Sequence, residues 1–241
     1  MENPLVVEFF GLPASGKSTL CEGLEQRFTD DSIPVTNETL DIINRKGTYE
    51  GYVFMVGYAL FTVFQCPIRS TRLVSIIRGS EQQSIGDEIR LSIYCLFLHT
   101  VLRRSEEREA VHLLDQGIFQ TLWSIALTGG SVDRSTLQSI YQQFPVPNTY
   151  VLVRVEVDAD RSMHRLAGRD GNFSRVELLL EDKSVDAVVT CERAYELVEG
   201  LVENRKDSRI YSEIRIETSE MAKEESVEEV YSRIRLDQSL G

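Results

Sequence analysis

Eight residues near the amino terminus have the types and spacing to hold phosphate: Gly11-Leu12-Pro13-Ala14-Ser15-Gly16-Lys17-Ser18, with Thr19 next. They fit the pattern G-x-x-x-x-G-K-[ST]. A loop of this length wraps an anion so closely that backbone amides line it instead of side chains. Gly11 and Gly16 allow the close approach and the backbone angles that a β-carbon would bar. Lys17 has the reach to neutralise the outer phosphates of a nucleoside triphosphate. The Ser18 hydroxyl is a hard oxygen suited to magnesium.

Two further groups could serve the same chemistry. Asp115 directly follows the apolar run Val111-His112-Leu113-Leu114. A carboxylate at the end of a neighbouring parallel strand opens onto the edge where ligands bind, and there it can help Ser18 hold magnesium. The plain alternative is a turn aspartate in Asp-Gln-Gly. Arg161, Arg165 and Arg169 recur every four residues, border the polar stretch Gly168 to Asn172, and are followed by Arg175. Phosphoryl transfer needs cations around the migrating group, and arginine is the preferred donor fork. Arg165 and Arg169 are the pair expected to act. A solvated helix paired with Asp158, Asp160 and Glu177 would place the same residues.

These groups need strands to end beside them. Leu5 to Phe10 is an apolar run that reads as a buried strand, and Lys17 to Phe28 carries Leu20, Leu24 and Phe28 at helical spacing. Further strands are expected at Ser32 to Thr36, Val111 to Leu114, Tyr150 to Val157 and Ile210 to Thr218. Residues 50–104 read as largely helical, broken near Cys66-Pro67, Gly79 and Gly86. Within them Tyr52 to Cys66 is apolar but shorter than the about 20 residues of a membrane span, and it reads as a buried helix. Other helices are expected at Ile118 to Leu127 (stopped by Gly129-Gly130), Ser135 to Phe144, Asp158 to Ala167, Val176 to Asn204 and Glu224 to Leu236. Strands alternating with helices imply an α/β fold around a parallel sheet.

Taken in order, these pieces resemble the nucleoside and nucleotide kinases of the P-loop class, especially thymidylate-kinase-like members, over nearly the whole chain. The resemblance implies a three-layer α/β/α P-loop NTPase fold with a five-stranded parallel sheet in the order 2-3-1-4-5. It implies one domain over 1–241, with a helical acceptor-side insertion at about 50–104 and a lid at about 161–176. It also implies ATP with magnesium as the donor, and residues from Thr218 to Met221 beside the adenine. One departure concerns Gln116, which stands where thymidylate kinases carry an arginine on the acceptor phosphate. The insertion does not align with the family's acceptor region.

The acceptor is therefore left open. A phosphate acceptor is already ionised near neutral pH and needs a cation to hold it. Arg69, Arg72 and Arg78 are available, or they form the polar face of an amphipathic helix with Leu73, Val74, Ile76 and Ile77 inside. A hydroxyl acceptor benefits from a base. Glu38, just past the second strand, is the candidate, unless it merely favours the start of a short helix.

The 241 residues carry 26 Lys and Arg against 38 Asp and Glu, a formal net charge of −12. That balance argues against broad nucleic-acid binding. Cys21, Cys66, Cys95 and Cys191 form no CxxC pair, and His99, His112 and His164 show no metal-ligand spacing. The expectation is a cytoplasmic ATP-dependent phosphotransferase whose small-molecule acceptor is a nucleotide or nucleoside, with no nucleic-acid or membrane partner and a homodimer as one allowed assembly. A sugar or metabolite kinase, or a nucleotide-binding regulatory module without transfer activity, are the rivals.

Overall fold

The computed structural model describes residues 4–44, 49–157, 162, 187–203, 210–219 and 221–239. Strands β1 (Leu5–Gly11), β2 (Val35–Thr36), β3 (Val111–Leu114), β4 (Tyr150–Glu156) and β5 (Ser212–Glu217) form one parallel sheet in the order β2-β3-β1-β4-β5. This is the expected order. β1 is central and covered on both faces, which is why its sequence is an almost continuous apolar run.

The nine helices among the described residues are α1 (Lys17–Asp30), α2 (Glu38–Asn44), α3 (Tyr49–Gln65), α4 (Pro67–Gly79), α5 (Ile85–Ser105), α6 (Ile118–Thr128), α7 (Arg134–Tyr141), α8 (Ala187–Glu203) and α9 (Lys223–Ser239). Alternation along β1 divides the core. Leu5, Val7 and Phe9 face α1 and α9 with Leu20, Leu24, Phe28, Val230 and Ile234. Val6 and Phe10 face α5, α6 and α8, where Phe10 stacks on Tyr195 with ring centroids 4.9 Å apart.

Several boundaries shift for physical reasons. The second strand shortens to two residues, because Ser32 takes a left-handed backbone (φ 57) and closes the turn after α1. The helix before Pro145 is capped by the Asp133 side chain, which accepts from the Thr136 amide at 2.8 Å, so it starts at Arg134 and ends at Tyr141. Gly129 stops α6 as expected, but in an extended conformation (φ −90) instead of a left-handed one. A β-carbon there would lie 2.3 Å from Val132 Cγ2 and 2.9 Å from Gln82 Nε2, so the glycine serves close approach to the Gln82 bridge.

The largest correction concerns Tyr52 to Cys66. The expected buried helix is α3, and it buries only Gly51, Met55, Ala59 and Thr62. These small or slender residues form a narrow stripe against α5, where the Thr62 hydroxyl donates to the Leu96 carbonyl at 2.8 Å. Phe54 is 51% exposed and Phe64 82%. A run of apolar residues signals burial on average, yet a single helix offers only one stripe to the core. No single helix among the described residues is long and apolar enough to cross a membrane; α3 and α4 together reach that length only with a 120° bend.

Candidate functional site: a phosphate loop at the carboxyl edge of the sheet

β1 ends at Gly11, and the chain turns through Leu12–Ser15 before α1 begins at Lys17. Gly11 pairs with Val155, and a β-carbon on it would lie 2.3 Å from the Val155 carbonyl oxygen. Gly16 has φ 97, in the left-handed region that favours glycine. Ala14 also has a positive φ of 58, a conformation costing an alanine on the order of 1 kcal/mol. The Ser162 hydroxyl donates to the Pro13 carbonyl, and the Thr218 hydroxyl donates to the Ser15 carbonyl at 2.8 Å. The loop is thus held from two other segments.

Lys17 folds back over this loop. Its Nζ donates to the carbonyls of Gly11 at 2.9 Å and Leu12 at 2.6 Å, and lies 3.4 Å from Ser15 Oγ. The ammonium is therefore held at the mouth of the cradle. Ser18 Oγ donates to Asp115 Oδ2 at 3.0 Å. Asp115 is buried at the end of β3, and its amide donates to Thr39 Oγ1 at 3.0 Å, which ties α2 to the same edge. Two hard oxygens side by side fit a magnesium ion that takes its remaining ligands from phosphate and water. No cluster of three or more His, Cys, Asp or Glu suited to a metal exists among the described residues.

The turn after Asp115 is fixed from beneath by a residue that the sequence reading passed over. Glu8 lies mid-β1, fully buried. Its Oε1 accepts from the amides of Phe119 at 2.6 Å and Gln120 at 3.2 Å, and its Oε2 accepts from the Tyr150 hydroxyl. The α6 N-cap is Gly117, which has no side chain to satisfy the first amides, so Glu8 caps the helix across the core. Burial drives its carboxyl up to about 7, against the lowering effect of those hydrogen bonds. The signal was available, because one charge inside a doubly covered strand must find partners. Tyr94 of α5 completes the clamp, donating to the Gln116 carbonyl at 2.7 Å.

A cleft of about 230 Å³ opens on the other side of the loop, lined by Ser15, Gly16, Thr19, Leu20, Thr218, Met221, Lys223 and Ser226. Thr218 and Met221, which the resemblance placed beside the adenine, thus share a cavity wall with the loop.

The remaining candidates fall elsewhere. Arg161, Arg165, Arg169 and Arg175 lie outside the described residues. Glu38 starts α2 with its carboxylate 3.7 Å from Arg108 Nη1, so it pairs with the segment leading into β3, while its neighbour Thr39 meets Asp115 at the far end of that strand. Burial raises the Glu38 carboxyl, and Arg108 and Arg104 oppose that rise. Arg78 ends α4 with an 80% exposed side chain, 4.0 Å from Glu88. Arg69 and Arg72 are exposed on the same helix, whose buried side carries Leu73 and Ile77. α4 is therefore amphipathic, with Leu73 and Ile77 inside and the three arginines on its exposed face.

One functionally suggestive cation was missed altogether. Arg154 of β4 has a 2% exposed side chain ringed by carboxylates, donating to Glu199 and, at 3.1 Å, to Glu213, with Glu156 at 3.8 Å. Its acceptors are all supplied by the protein, so it ties β4 and β5 to α8.

No protein-family model matches the chain, and no curated protein matches it in sequence. Among solved structures it is similar to deoxyadenosine kinase from M. mycoides, in a complex with the products dCMP and a flexible dCDP. The match has a TM-score of 0.50 at 12% identity and covers 96% of this chain and 99% of that one. At that identity the likeness establishes the fold.

Proposed function

We propose that the protein is an ATP-dependent phosphotransferase whose acceptor is a nucleoside or nucleotide-like small molecule. The observation that carries this is the junction of two strand ends: Lys17 Nζ over the Gly11 and Leu12 carbonyls, and Ser18 Oγ 3.0 Å from Asp115 Oδ2. With a triphosphate in the cradle, the loop amides and the α1 dipole hold the β-phosphate. Lys17 leaves the carbonyls for the outer phosphate oxygens. An acceptor oxygen forms a bond to the γ-phosphorus as the bond to the β,γ-bridging oxygen breaks, releasing ADP; an ionised phosphate acceptor has no proton to lose, and a hydroxyl acceptor gives its proton to Glu38 or to water. Ser18 and Asp115 hold magnesium, which neutralises charge on the phosphates when bound. The cleft between Leu20 and Met221 takes the adenine, its apolar walls suiting a flat ring.

The fold shared with a deoxyadenosine kinase bound to dCMP and dCDP supports a nucleoside-like acceptor for this chain. Glu38 meets Arg108 Nη1 at 3.7 Å through one carboxylate oxygen, and Glu38→Gln, with ATP binding measured beside turnover, separates a hydroxyl acceptor that uses it as base from a phosphate acceptor that does not. Arg165 and Arg169 are assigned to closing over the phosphates, which excludes water. The decisive test is a panel of nucleosides, nucleotides and sugars with ATP and magnesium, read as ADP release and phosphorylated product. A nucleoside or nucleotide product, lost in Arg165→Ala and Arg169→Ala, is expected. Tight ATP binding with transfer to none of the panel would instead establish a nucleotide-binding module.

A further inference from the structure

Between Glu50 and Arg69 the chain carries no charged residue, although most of that stretch is α3 and faces outward. Nine large apolar side chains are exposed here: Tyr49, Tyr52, Val53, Phe54, Leu60, Phe61, Val63, Phe64 and Ile68. Ile68 belongs to α4 beyond the 120° bend, and Tyr52 and Val63 flank the buried stripe; at about 200 Å² for a fully exposed large side chain, the other six present roughly 700 Å². A monomer ordinarily leaves patches of only about 300–600 Å² open. A stable two-protein interface needs about 800 Å² from each partner.

The centre of this surface is a glycine. Gly57 is the middle residue of Tyr49–Gln65 and is exposed. A glycine inside a helix is costly, and nothing in this chain requires it, since a β-carbon on Gly57 would meet no atom within 4 Å. What a missing side chain at the centre of a helix face does provide is room for another helix to approach closely. The two ends of the helix differ in charge. Glu50 stands at its start; Arg103 lies at its finish, bonded to the Gln65 side chain at 2.8 Å, and Arg69 follows on α4, past the bend after Gln65. Neither Glu50 nor Arg69 has an ion-pair partner among the described residues.

We propose that α3 packs against α3 of a second copy of this chain, antiparallel, about a two-fold axis at Gly57. Such an interface is self-complementary: each contact from one copy is repeated by the other. Residues equidistant from Gly57 then face each other, Val53 against Phe61 and Phe54 against Leu60. Glu50 of each copy reaches the Gln65–Arg103 end of its partner. Bare exposure would suit any apolar partner, but the central glycine and the opposed end charges suit this one. The proposal stands independently of the phosphotransfer reading.

Sedimentation velocity on the full chain across the micromolar range tests it. The wild type is expected at twice the 27.4 kDa chain mass. Gly57→Leu, whose side chain has free space within its own chain, should weaken association about tenfold or more while circular dichroism and ATP binding are retained. Glu50→Arg should weaken it less, and Glu50→Arg with Arg103→Glu should recover it. A monomeric wild type overturns the proposal, as does a dimer indifferent to both Gly57→Leu and Glu50→Arg. A monomer that co-sediments with phosphatidylcholine–phosphatidylserine vesicles, and loses this with Phe64→Ser, would assign the face to a bilayer.

Discussion

At the phosphate loop nearly every group is engaged within the chain. Lys17 bridges two carbonyls, Ser18 reaches Asp115, Thr218 braces Ser15, and the space a Gly11 side chain would need is filled by the Val155 carbonyl. Along α3 the balance is reversed: the helix buries four residues, packs Tyr58 against Phe97, and sends most of its large apolar side chains outward around a glycine with empty space beside it. Both segments are short, apolar and glycine-punctuated in sequence. They differ in whether the reason for the glycine lies inside the molecule or outside it. Substitutions should divide the same way. Those that touch the sheet and its loop should alter folding or nucleotide chemistry, and those in the insertion should spare nucleotide chemistry.

The largest stability loss is expected at Arg154→Met. It leaves Glu213 and Glu199 without their buried cation, which costs about 3–5 kcal/mol in urea denaturation. A loss under 1 kcal/mol would show that the carboxylates relax into water. Lys17→Met should lower transfer by about 10²–10³-fold, the usual result of removing one transition-state cation or donor, with a melting temperature close to wild type. A large fall in melting temperature would mean that the lysine's two carbonyl contacts hold the fold as well as the ligand.

Two buried groups give pH tests of opposite sign, one on each side of the comparison. Glu8 in β1 is raised from 4.5 to about 7. The folded state therefore holds its proton more tightly, and this contribution is complete below pH 4.5 and lost as pH rises through 7. Glu8→Gln should remove that loss, worth up to about 3 kcal/mol. His99 of α5 is lowered from 6.5 to about 4, by burial and by the nearby Arg69 and Arg103, and neither ring nitrogen has a hydrogen-bond partner among the described residues. The unfolded chain binds the proton first, so stability falls as pH drops from 6.5 toward 4. His99→Leu should abolish that fall, also up to about 3 kcal/mol, and leave ATP affinity unchanged. Thermal melts of the two single variants across pH 4 to 8 separate the opposing slopes. The smallest effect is expected at Thr218→Val, which deletes one brace on the loop for about 1 kcal/mol in ATP binding by calorimetry.

The loop, the strand order and the positions of nearly all described elements were legible in the sequence, because each rests on a local rule. Glycine and lysine spacing marks the cradle, β-branched runs mark strands, and 3.6-residue periodicity marks α1. What was not legible depends on partners distant in the chain. Glu8 meets amides more than 100 residues away, and Arg154 meets Glu199 and Glu213 from two other elements. The place of Asp115 at a strand end could be read from the apolar run before it, while the contact of Glu38 with Arg108 could not, because spacing alone does not set side-chain direction. The outward face of α3 was misread because hydrophobicity was taken to imply burial in the same chain.

The cap that Glu8 places on α6 has a consequence for sequence change. A β-carbon on Gly117 would sit 2.4 Å from Glu8 Cδ, so position 117 cannot gain a side chain while position 8 keeps its carboxylate. Shortening Glu8 alone would strip the cap from α6. The two sites, 109 residues apart, can therefore drift only as a pair. Among relatives of this chain, whatever replaces the glycine should be found only where the glutamate has also gone.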